Sequence, residues 1–434
     1  MGLRFQAPRG TRDLLPGELR LWQWAERLAR EVLEHYGYAE IRTPLFEDYE
    51  LFARTSGESS DVVQKEMYRF KDLKGRDLAL RPEGTASVCR AYLEHSMSGQ
   101  GRLQKLWYAG PMMRYGRPQK GRYRQFSQIG AECIGVAAPD ADIEMIALFV
   151  DIFEAWGFES LTVAVNSVGT PEIRRAYGEA LRAWLEPVRE MLSADSRQRL
   201  EVNPLRVLDS KDPGDVAFLT GKDAGLGPMP RLIDSLDRSA AAHWDAVRAG
   251  LDALGIAYEV DPGLVRGLDY YTHTAFEVHD RSLGAQSALG GGGRYDGLIE
   301  ALGGQPTPGV GFSIGLDRAM LVLAERGTPG DLPRPLVFVV GMEATQRHVH
   351  PLVRALRQVY AAEFDLEARG TTAQMRTAGR RGATAVVVLG EEEWKRGEVV
   401  VKDMKSGTQE TVILEGLPER LDRIMGLTGE VRAE

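Results

Sequence analysis

The sequence predicts an α+β protein with a main domain, a helical insertion and a smaller C-terminal α/β domain. Residues Gly101 to Glu132 contain two strand-like runs joined by a loop rich in glycine and proline. From Pro171 to about Val260 apolar residues recur at helical spacing. Beyond residue 334, helical stretches alternate over about 100 residues with predicted strands at Leu336–Val340, Phe364–Ala368, Ala385–Leu389 and Val399–Lys402. The predicted parts are a main domain (1–170 and 262–326), an insertion (171–261), a linker (327–334) and a C-terminal domain (335–434).

Composition limits the class of protein. The chain has 434 residues, of which 43% are hydrophobic and 27% charged, as in a globular protein with two or three cores. The N-terminus has no apolar targeting region, and no apolar run approaches about 18 residues. We therefore expect a cytoplasmic protein without a membrane span. Cys89 and Cys133 lack the spacing of a zinc site or a disulfide, so no protein-bound metal is predicted.

The first long element is a predicted helix over Leu19–Tyr36 with one apolar stripe, ended by Gly37. Glu40–Phe46 then follows as an extended segment, in which Pro44 permits only an edge strand or the end of a strand. This helix and segment would suit a dimer face, although burial within one chain explains the pattern equally well.

The stretch Leu78–Thr85 predicts a strand with a polar face. Alternation places Arg81, Glu83 and Thr85 on the same side. The stretch is either the edge of a ligand site or a solvated strand end at which Gly84 opens a turn.

The central hairpin predicts strands over Leu106–Arg114 and Arg124–Glu132. Seven Lys and Arg residues and no carboxylate lie between Arg102 and Arg124, although the net charge of the chain is −8. Period 2 puts Arg124, Gln128 and Glu132 on one face. A cation, an amide and a carboxylate together favour a polar pocket, while a hairpin with a solvated basic tip is the alternative.

The next segment predicts a helix capped by Asp140 and ended by Gly157, followed by a buried strand over Leu161–Val165.

Strand character returns at Leu264–Thr272. On a regular strand Tyr270 and Tyr271 would point to opposite faces, so at most one would address a ligand. Arg266 precedes a glycine, as suits a cation at the mouth of a sheet. The glycines at 290–293 lack the lysine of a phosphate-binding P-loop and predict close backbone packing or approach to a ligand.

Residues Gly309–Arg318 run from a strand into a helix. Arg318 falls in the first helical turn, where the helix dipole disfavours a cation unless an anion is nearby. A solvated Arg318 is the alternative.

Together these segments resemble the class II aminoacyl-tRNA synthetases, and within them the histidyl-tRNA synthetases. The resemblance covers the chain from end to end, and the motif LVRGLDYY is specific to histidine recognition. Its motifs are RPEGT (Arg81–Thr85), RYGRPQKGRYRQFSQIGAE (Arg114–Glu132), LVRGLDYYT (Leu264–Thr272), GGRYDGL (Gly292–Leu298) and GFSIGLDR (Gly311–Arg318).

The resemblance implies an antiparallel sheet flanked by helices, a homodimer formed through Leu19–Tyr36 and the Pro44 segment, and a C-terminal anticodon-binding domain. It implies that ATP activates L-histidine to histidyl-adenylate, which then acylates the 3′ end of histidine tRNA. ATP would be a substrate, with Mg²⁺ bound through its phosphates.

Carried over by position, the resemblance assigns ATP contacts to Arg114 at the α-phosphate, Arg318 at the far end, and Arg266 between the α-phosphate and the substrate carboxylate. Arg114 and Arg266 would be the catalytic cations. The histidine site would combine an ammonium site with side chains that read the imidazole nitrogens, chiefly Glu132 and Tyr271. Its predicted residues are Glu83, Gly84, Thr85, Gln128, Glu132, Tyr270 and Tyr271.

The resemblance also implies two contacts with tRNA. The loop Tyr115–Tyr123 would approach the acceptor end through Arg117, Lys120 and Arg122. This loop carries Gly116 where the family usually has an acidic residue, so it is more flexible and more basic than is usual in the family. The anticodon candidates, which a solvated face explains equally well, are Arg369, Arg376, Arg380 and Arg381.

Two rival functions share this fold class. One is the synthetase-like regulatory subunit that senses histidine for ATP phosphoribosyltransferase, although such paralogues tend to lose the ATP-handling arginines and the anticodon domain. The other is a tRNA sensor that binds tRNA without forming an adenylate.

Overall fold

The computed structural model describes residues 5–57, 60, 62–220, 226–264, 270–280, 288–327 and 335–427. The chain divides into two compact units, Met1–Asp331 and Leu332–Glu434. Most of the predicted linker lies outside the described residues. Arg266, which belongs to a different segment, also lies outside them. Within the described residues, no helix has the length and apolarity to cross a bilayer. The limits of the predicted insertion stay a prediction.

The first unit is built on an eight-stranded sheet in the order β1-β5-β6-β11-β10-β9-β7-β8. Its central pairs are antiparallel, while β1 pairs with β5 and β8 with β7 in parallel. A separate antiparallel sheet has the order β2-β4-β3. The strands of this unit are β1 (Ala39–Glu40), β2 (Phe46–Asp48), β3 (Arg69–Lys71), β4 (Asp77–Leu80), β5 (Gln104–Met113), β6 (Gln125–Ile134), β7 (Leu161–Ser167), β8 (Tyr258–Val260), β9 (Thr272–Asp280), β10 (Ala288–Arg294) and β11 (Gly309–Gly315).

Helices cover both faces of the large sheet. The main core lies between one face and α1, α4, α8 and α10, and a smaller core on the other face includes side chains of α3 and α9. The antiparallel sheet flanked by helices is therefore confirmed. The helices are α1 (Pro16–His35), α2 (Tyr49–Ser56), α3 (Thr85–Glu94), α4 (Pro139–Ala155), α5 (Pro171–Leu185), α6 (Ala194–Val202), α7 (Pro213–Leu219), α8 (Arg238–Leu254), α9 (Leu298–Ala301) and α10 (Leu316–Arg326).

Helix α4 does not begin as predicted. Its N-cap is Ala138, without a side-chain hydrogen bond, and Pro139 occupies the first helical position. Asp140 instead lies in the first turn, where a carboxylate favours the helix dipole without capping. The prediction of an Asp140 cap was wrong because proline at the first position starts a helix equally well.

The helix-rich stretch after Pro171 has its own small core, formed by side chains such as Tyr177 and Leu181. Its last helix behaves differently, because Trp244 and Val247 of α8 pack into the main core. The final residues of the stretch form β8, which pairs with β7, so the stretch is not helical to its end.

The second unit is a five-stranded sheet in the order β13-β12-β14-β15-β16 with helices packed against it. The predicted strand Phe364–Ala368 begins earlier, at Ala361, and ends at Phe364, because the Asp365 carboxylate accepts the Glu367 amide and turns the chain. Its elements are β12 (Leu336–Gly341), α11 (Gln346–Leu356), β13 (Ala361–Phe364), α12 (Thr371–Arg380), β14 (Ala385–Leu389), α13 (Glu391–Lys395), β15 (Glu398–Asp403), β16 (Gln409–Ile413) and α14 (Leu417–Met425).

Candidate active site

The polar site lies on the face of the large sheet opposite the main core. Along β6, Ile129 and Ala131 enter the main core. Since side chains alternate along a strand, Gln128 and Glu132 share the opposite face, as predicted. Arg124 lies just before β6, with its guanidinium carbon 3.7 Å from the centre of the Tyr115 ring.

Glu132 is the most enclosed charged group of this face, with 0% of its surface exposed. Its Oε1 accepts the Thr85 hydroxyl at 2.6 Å, and its Oε2 accepts the Tyr295 hydroxyl at 2.6 Å. Tyr108 donates a longer hydrogen bond of 3.5 Å to Oε1. Burial raises the pKa of Glu132 to about 8, since it disfavours the carboxylate more than the three hydroxyls stabilise it.

Glu83 and Thr85 are not on a strand, which corrects the sequence prediction. Strand β4 ends at Leu80, and Thr85 is the first residue of α3. The Glu83 carboxylate accepts the backbone N–H of Thr85 at 2.6 Å and of Ala86 at 3.0 Å, so it caps that helix. Burial raises the pKa of Glu83 despite these hydrogen bonds. The strand prediction failed because β4 ends at Leu80 and helix α3 begins only five residues later, at Thr85.

Arg81 also leaves the predicted polar face. It is buried, and its guanidinium donates to the Pro111 carbonyl and to the Thr43 carbonyl and hydroxyl, each at 3.0 Å. Arg81 therefore ties the segment before Pro44 to strand β5.

Gln128 presents an acceptor that lacks a donor. Its side chain is 7% exposed, and its Nε2 lies 3.4 Å from the Ser313 hydroxyl. Within the described part of the chain, no group donates to its buried Oε1. A buried unsatisfied amide oxygen is costly, and a ligand N–H would satisfy it.

The two adjacent tyrosines precede strand β9, so the premise that they alternate on a strand was wrong. Their ring centres are 4.7 Å apart, and the Tyr270 ring also contacts Tyr295 at 6.0 Å. Burial raises the pKa of Tyr270. The neighbouring Tyr271 hydroxyl and the carboxylates of Glu83 and Glu132 raise it further. Tyr270 thus lies beside both acids of the site, with Tyr271 against it.

Arg114 stands at the end of strand β5, next to these acids. Its Nε donates to the Pro82 carbonyl at 2.8 Å, and its guanidinium carbon lies 5.5 Å from the Phe126 ring centre. Burial lowers the pKa of Arg114, and the nearby charges of Glu66 and Glu83 oppose that shift. An anion placed here would offset the cost of burying the cation.

Arg318 and Arg114 both line a cavity of about 280 Å³. Arg318 is the third residue of α10, as predicted, and its Nη1 donates to the Ala288 carbonyl at 2.6 Å. Burial lowers its pKa as well. The lining residues of the cavity include Arg114, Gly116, Gly121, Arg122, Tyr123, Phe126, Gln128, Glu277, Gly290, Gly291, Ser313, Asp317 and Arg318.

The loop predicted to meet the tRNA acceptor end forms one wall of this cavity. Arg122 pairs with Glu66 at 2.9 Å and Lys120 with Glu325 at 2.7 Å, whereas Arg117 is exposed. Gly116 lies beside Arg122, whose Nε would be 3.5 Å from a Cβ at that position. An acidic side chain at 116 would therefore stand next to Arg122.

The glycine-rich strand β10 forms another wall. A Cβ on Gly290 would lie 2.5 Å from the Ser313 carbonyl oxygen, and one on Gly293 would lie 2.7 Å from the Tyr271 ring. Close backbone packing is thus confirmed for these glycines. Gly84, predicted as a histidine contact, similarly lies directly beneath the Tyr108 ring, which leaves no space for a Cβ.

Sequence reasoning missed several lining or bonding residues, among them Tyr108, Glu277, Tyr295 and Ser313. Tyr108 and Tyr295 look like core aromatics in sequence, and only the pairing of strands brings their hydroxyls to Glu132. Alternation along β9 and β11 could have found the other two, because Phe276 and Phe312 are core residues next to them.

The arginines proposed for the anticodon contact lie around α12 of the second unit. Arg369 pairs with Asp365 at 2.8 Å, and Arg381 pairs with Glu363. Arg376 and Arg380 are exposed. Two of the four charges are therefore already compensated.

Comparison with known families and proteins covers nearly the whole chain. The family model of histidyl-tRNA synthetase matches residues 10–319, and an anticodon-binding domain model matches residues 336–424. A histidine–tRNA ligase of Thermosynechococcus vestitus is 50% identical over 410 residues, which are 94% of each chain. One of Desulforamulus reducens is 46% identical over 413 residues, which are 94% of this chain and 97% of the relative.

Solved structures agree. The apo histidyl-tRNA synthetase of S. aureus superposes with a TM-score of 0.79 at 38% identity, covering 96% of this chain and 99% of that one. A Bacillus halodurans protein described as an ATP phosphoribosyltransferase regulatory subunit/histidyl-tRNA synthetase shares the fold, with a TM-score of 0.62 at 22% identity over 88% of this chain and 97% of that one.

Proposed function

This chain belongs to the histidyl-tRNA synthetase family, and we propose that it activates L-histidine with ATP and transfers the histidyl group to the 3′ end of histidine tRNA. In the first step the histidine carboxylate attacks the α-phosphate, and pyrophosphate leaves. Two anions must approach each other in this step, so fixed cations lower the barrier most.

Arg114 and Arg318 are proposed to hold the two ends of ATP. They are partly buried cations that line one cavity, and each is anchored through a backbone carbonyl, at Pro82 and Ala288 respectively. Arg114 lies nearer the carboxylates of the site, which suits the α-phosphate, while Arg318 suits the far phosphate end. Arg266, outside the described residues, is assigned from the family motif to the substrate carboxylate and α-phosphate.

Magnesium would be held mainly by the phosphates. Glu277 supplies a carboxylate on the cavity wall opposite the loop, and one or two carboxylates beside phosphate oxygens are the usual protein share of a magnesium site. Bound there, the ion would neutralise phosphate charge. Glu277 also lies close enough to Arg318 to oppose the lowering of that residue's pKa by burial.

The observation that carries the amino-acid part is the buried Gln128 Oε1 without a donor. The histidine ammonium would donate to it, with Glu83 and the Thr85 hydroxyl oxygen completing the ammonium site. Gln128 lies on the same wall as Arg114, so an amino acid bound through its ammonium would hold its carboxylate near the ATP α-phosphate. Proximity of this kind is a large part of the rate enhancement.

The imidazole would be read by Glu132 and Tyr271. Glu132 is held by Thr85 and Tyr295, which fix its position before a ligand arrives. With a pKa of about 8, its carboxyl group can accept or donate a hydrogen bond near neutral pH. Apolar amino acids of similar size would leave these polar groups unpaired, and such sites reject them strongly.

Transfer to tRNA would use the loop 115–123 at the acceptor end and the second unit at the anticodon. The family match of residues 336–424 supports the second assignment. We also propose a cytoplasmic homodimer, formed through α1 and the Pro44 segment.

The test is ATP–pyrophosphate exchange with each amino acid in turn, in the absence of tRNA. Exchange with histidine alone is expected. Tight histidine binding without exchange would refute activation and favour the histidine-sensing regulatory subunit of ATP phosphoribosyltransferase, whose fold this chain shares. Tight tRNA binding without exchange would instead favour a tRNA sensor.

A further inference from the structure

The N-terminal segment Gly10–Arg12, here called the N-terminal strap, packs against the ATP cavity from outside. The Gly10 carbonyl accepts the Arg124 backbone N–H at 2.7 Å, directly where the cavity loop 115–123 ends. Gly10 has φ +86°, and a Cβ there would lie 2.7 Å from the Arg124 side chain. Glycine is therefore required for this close approach.

Arg12 of the strap contacts both walls of the cavity. Its guanidinium carbon lies 4.9 Å from the centre of the Tyr123 ring, in the loop wall. Its Nη2 lies 3.6 Å from Asp317, at the start of α10. Tyr123 and Asp317 both line the cavity. Arg12 also pairs with Glu18 at the start of α1, which fixes the direction of its side chain.

The contact of Arg12 with Asp317 matters because Asp317 is a buried acid, with only 5% of the residue exposed. Its Oδ2 accepts the Ser127 backbone N–H at 2.8 Å, which ties α10 to β6. Asp317 immediately precedes Arg318, so its position sets that of the first turn of α10. Removal of Arg12 would leave a buried carboxylate without its cation, and Asp317 would then take up a proton or move together with the start of α10.

The loop wall depends on the strap in the same way. Arg124, held by Gly10, donates its Nε–H to the Gly116 carbonyl at 3.3 Å and covers the Tyr115 ring. At the other end of the loop, Gly121 packs against Leu321 of α10, which would lie 3.1 Å from a Cβ at Gly121. The loop and the start of α10 thus meet at the cavity, and Arg12 contacts both without lining the cavity itself.

We propose that Arg12 is a positioning residue of the ATP site, which holds the loop 115–123 and the start of α10 at the spacing that ATP requires. The inference rests on the proposed function only in naming ATP as the ligand. Arg12 does not line the cavity, so its effect would reach ATP through Tyr123, Asp317 and Arg318.

The experiment compares Arg12→Ala, Arg12→Lys and Arg231→Ala by calorimetric titration with Mg–ATP and, separately, with L-histidine. Arg231 is the matched control, since it is a half-exposed arginine paired with Asp234 at 2.7 Å. A misplacement of functional groups by about 1 Å can lower a reaction rate by up to about 100-fold. We expect Arg12→Ala to weaken ATP binding by about 10- to 100-fold, with histidine affinity changed less than about threefold.

Arg12→Lys keeps the charge but lacks the planar fork that reaches Glu18 and Asp317 together. We expect it to restore part of the ATP affinity, and Arg231→Ala to match the wild type. Unchanged ATP affinity in Arg12→Ala, or an equal loss of both affinities, would overturn the inference. The titration measures ATP binding and does not depend on catalysis. A wild-type protein that binds ATP but catalyses no exchange would therefore contradict the proposed function, while the effect of Arg12 on ATP affinity could still be measured.

Discussion

The two halves of the candidate site differ in how their charged groups are compensated. On the histidine side, Glu132 receives hydrogen bonds from Thr85 and Tyr295 and is wholly enclosed. On the ATP side, Arg114 and Arg318 are hydrogen-bonded to backbone carbonyl oxygens across an open cavity. In the first half the protein itself stabilises the charged group, whereas in the second half the anionic ligand would compensate the charge of the arginines.

This difference explains where each half would obtain its selectivity. A buried carboxyl group held by neutral hydroxyls changes little when a ligand binds, so it can discriminate by hydrogen bonding. Arg114 and Arg318 are partly buried cations whose desolvation is unfavourable, and binding of a polyphosphate would offset that cost. We therefore expect losses of catalysis or of ATP affinity from changes on the ATP side and losses of amino-acid affinity from changes on the histidine side.

The largest expected effect follows from Arg114→Ala, which removes a fixed cation beside the reacting phosphate. We expect the rate of adenylate formation to fall by about 100- to 1000-fold. A rapid-quench single-turnover assay at saturating histidine and ATP measures this rate. Arg231→Ala is the control, and a folded Arg114→Ala protein with a wild-type rate would refute the assignment.

Gln128→Ala tests the other half. It removes the unsatisfied acceptor offered to the ammonium, so we expect the KM for histidine to rise by about 10- to 100-fold with a smaller change in the KM for ATP. Exchange kinetics with each substrate varied in turn measure both values. If the KM for ATP rose instead, Gln128 would belong to the ATP side.

Arg318→Ala should give a smaller effect, because the far phosphate end does not react. We expect the KM for ATP to rise about 10-fold, with kcat changed less. The same kinetics provide the measurement. A fall in kcat as large as that of Arg114→Ala would mean that Arg318 acts on the reacting phosphate.

The smallest expected effect concerns stability and Glu132. Its pKa is raised by burial to about 8, so the native protein binds a proton that the unfolded chain releases above its ordinary pKa. The free energy of unfolding should therefore fall as pH rises from about 5 to about 8. Glu132→Gln should remove the share of this fall that Glu132 contributes, at about 1.4 kcal/mol for each unit by which its pKa is raised.

Urea denaturation of both proteins across this pH range measures the effect. Glu83, whose pKa is also raised, would keep part of the slope in the variant. Parallel pH profiles for variant and wild type would contradict the account of Glu132.

Strands with strict alternation and helices with long apolar stripes were predictable from sequence, as β6 and α1 illustrate. Residues at the ends of elements were not, because several local solutions compete there. Glu83 alternates with Arg81 as on a strand, yet it caps helix α3. Proline at the first position of α4 made the predicted Asp140 cap unnecessary.

Motifs identified most of the site, and long-range pairing supplied the rest. The hydroxyls of Tyr108 and Tyr295 reach Glu132 from strand β5 and from the turn after β10, 24 and 163 residues away in sequence. No local pattern records such contacts. The tyrosine pair was misplaced for a related reason, since β9 begins after Tyr271 and not before it.

The most direct test of the account is to look for the adenylate itself. The wild-type chain would be incubated with ATP, Mg²⁺ and an equimolar mixture of the twenty amino acids, without tRNA, and the bound small molecules released and weighed by mass spectrometry. The account predicts histidyl-adenylate as the one aminoacyl-adenylate retained. Retention of histidine beside intact ATP, or of another amino acid's adenylate, would contradict it.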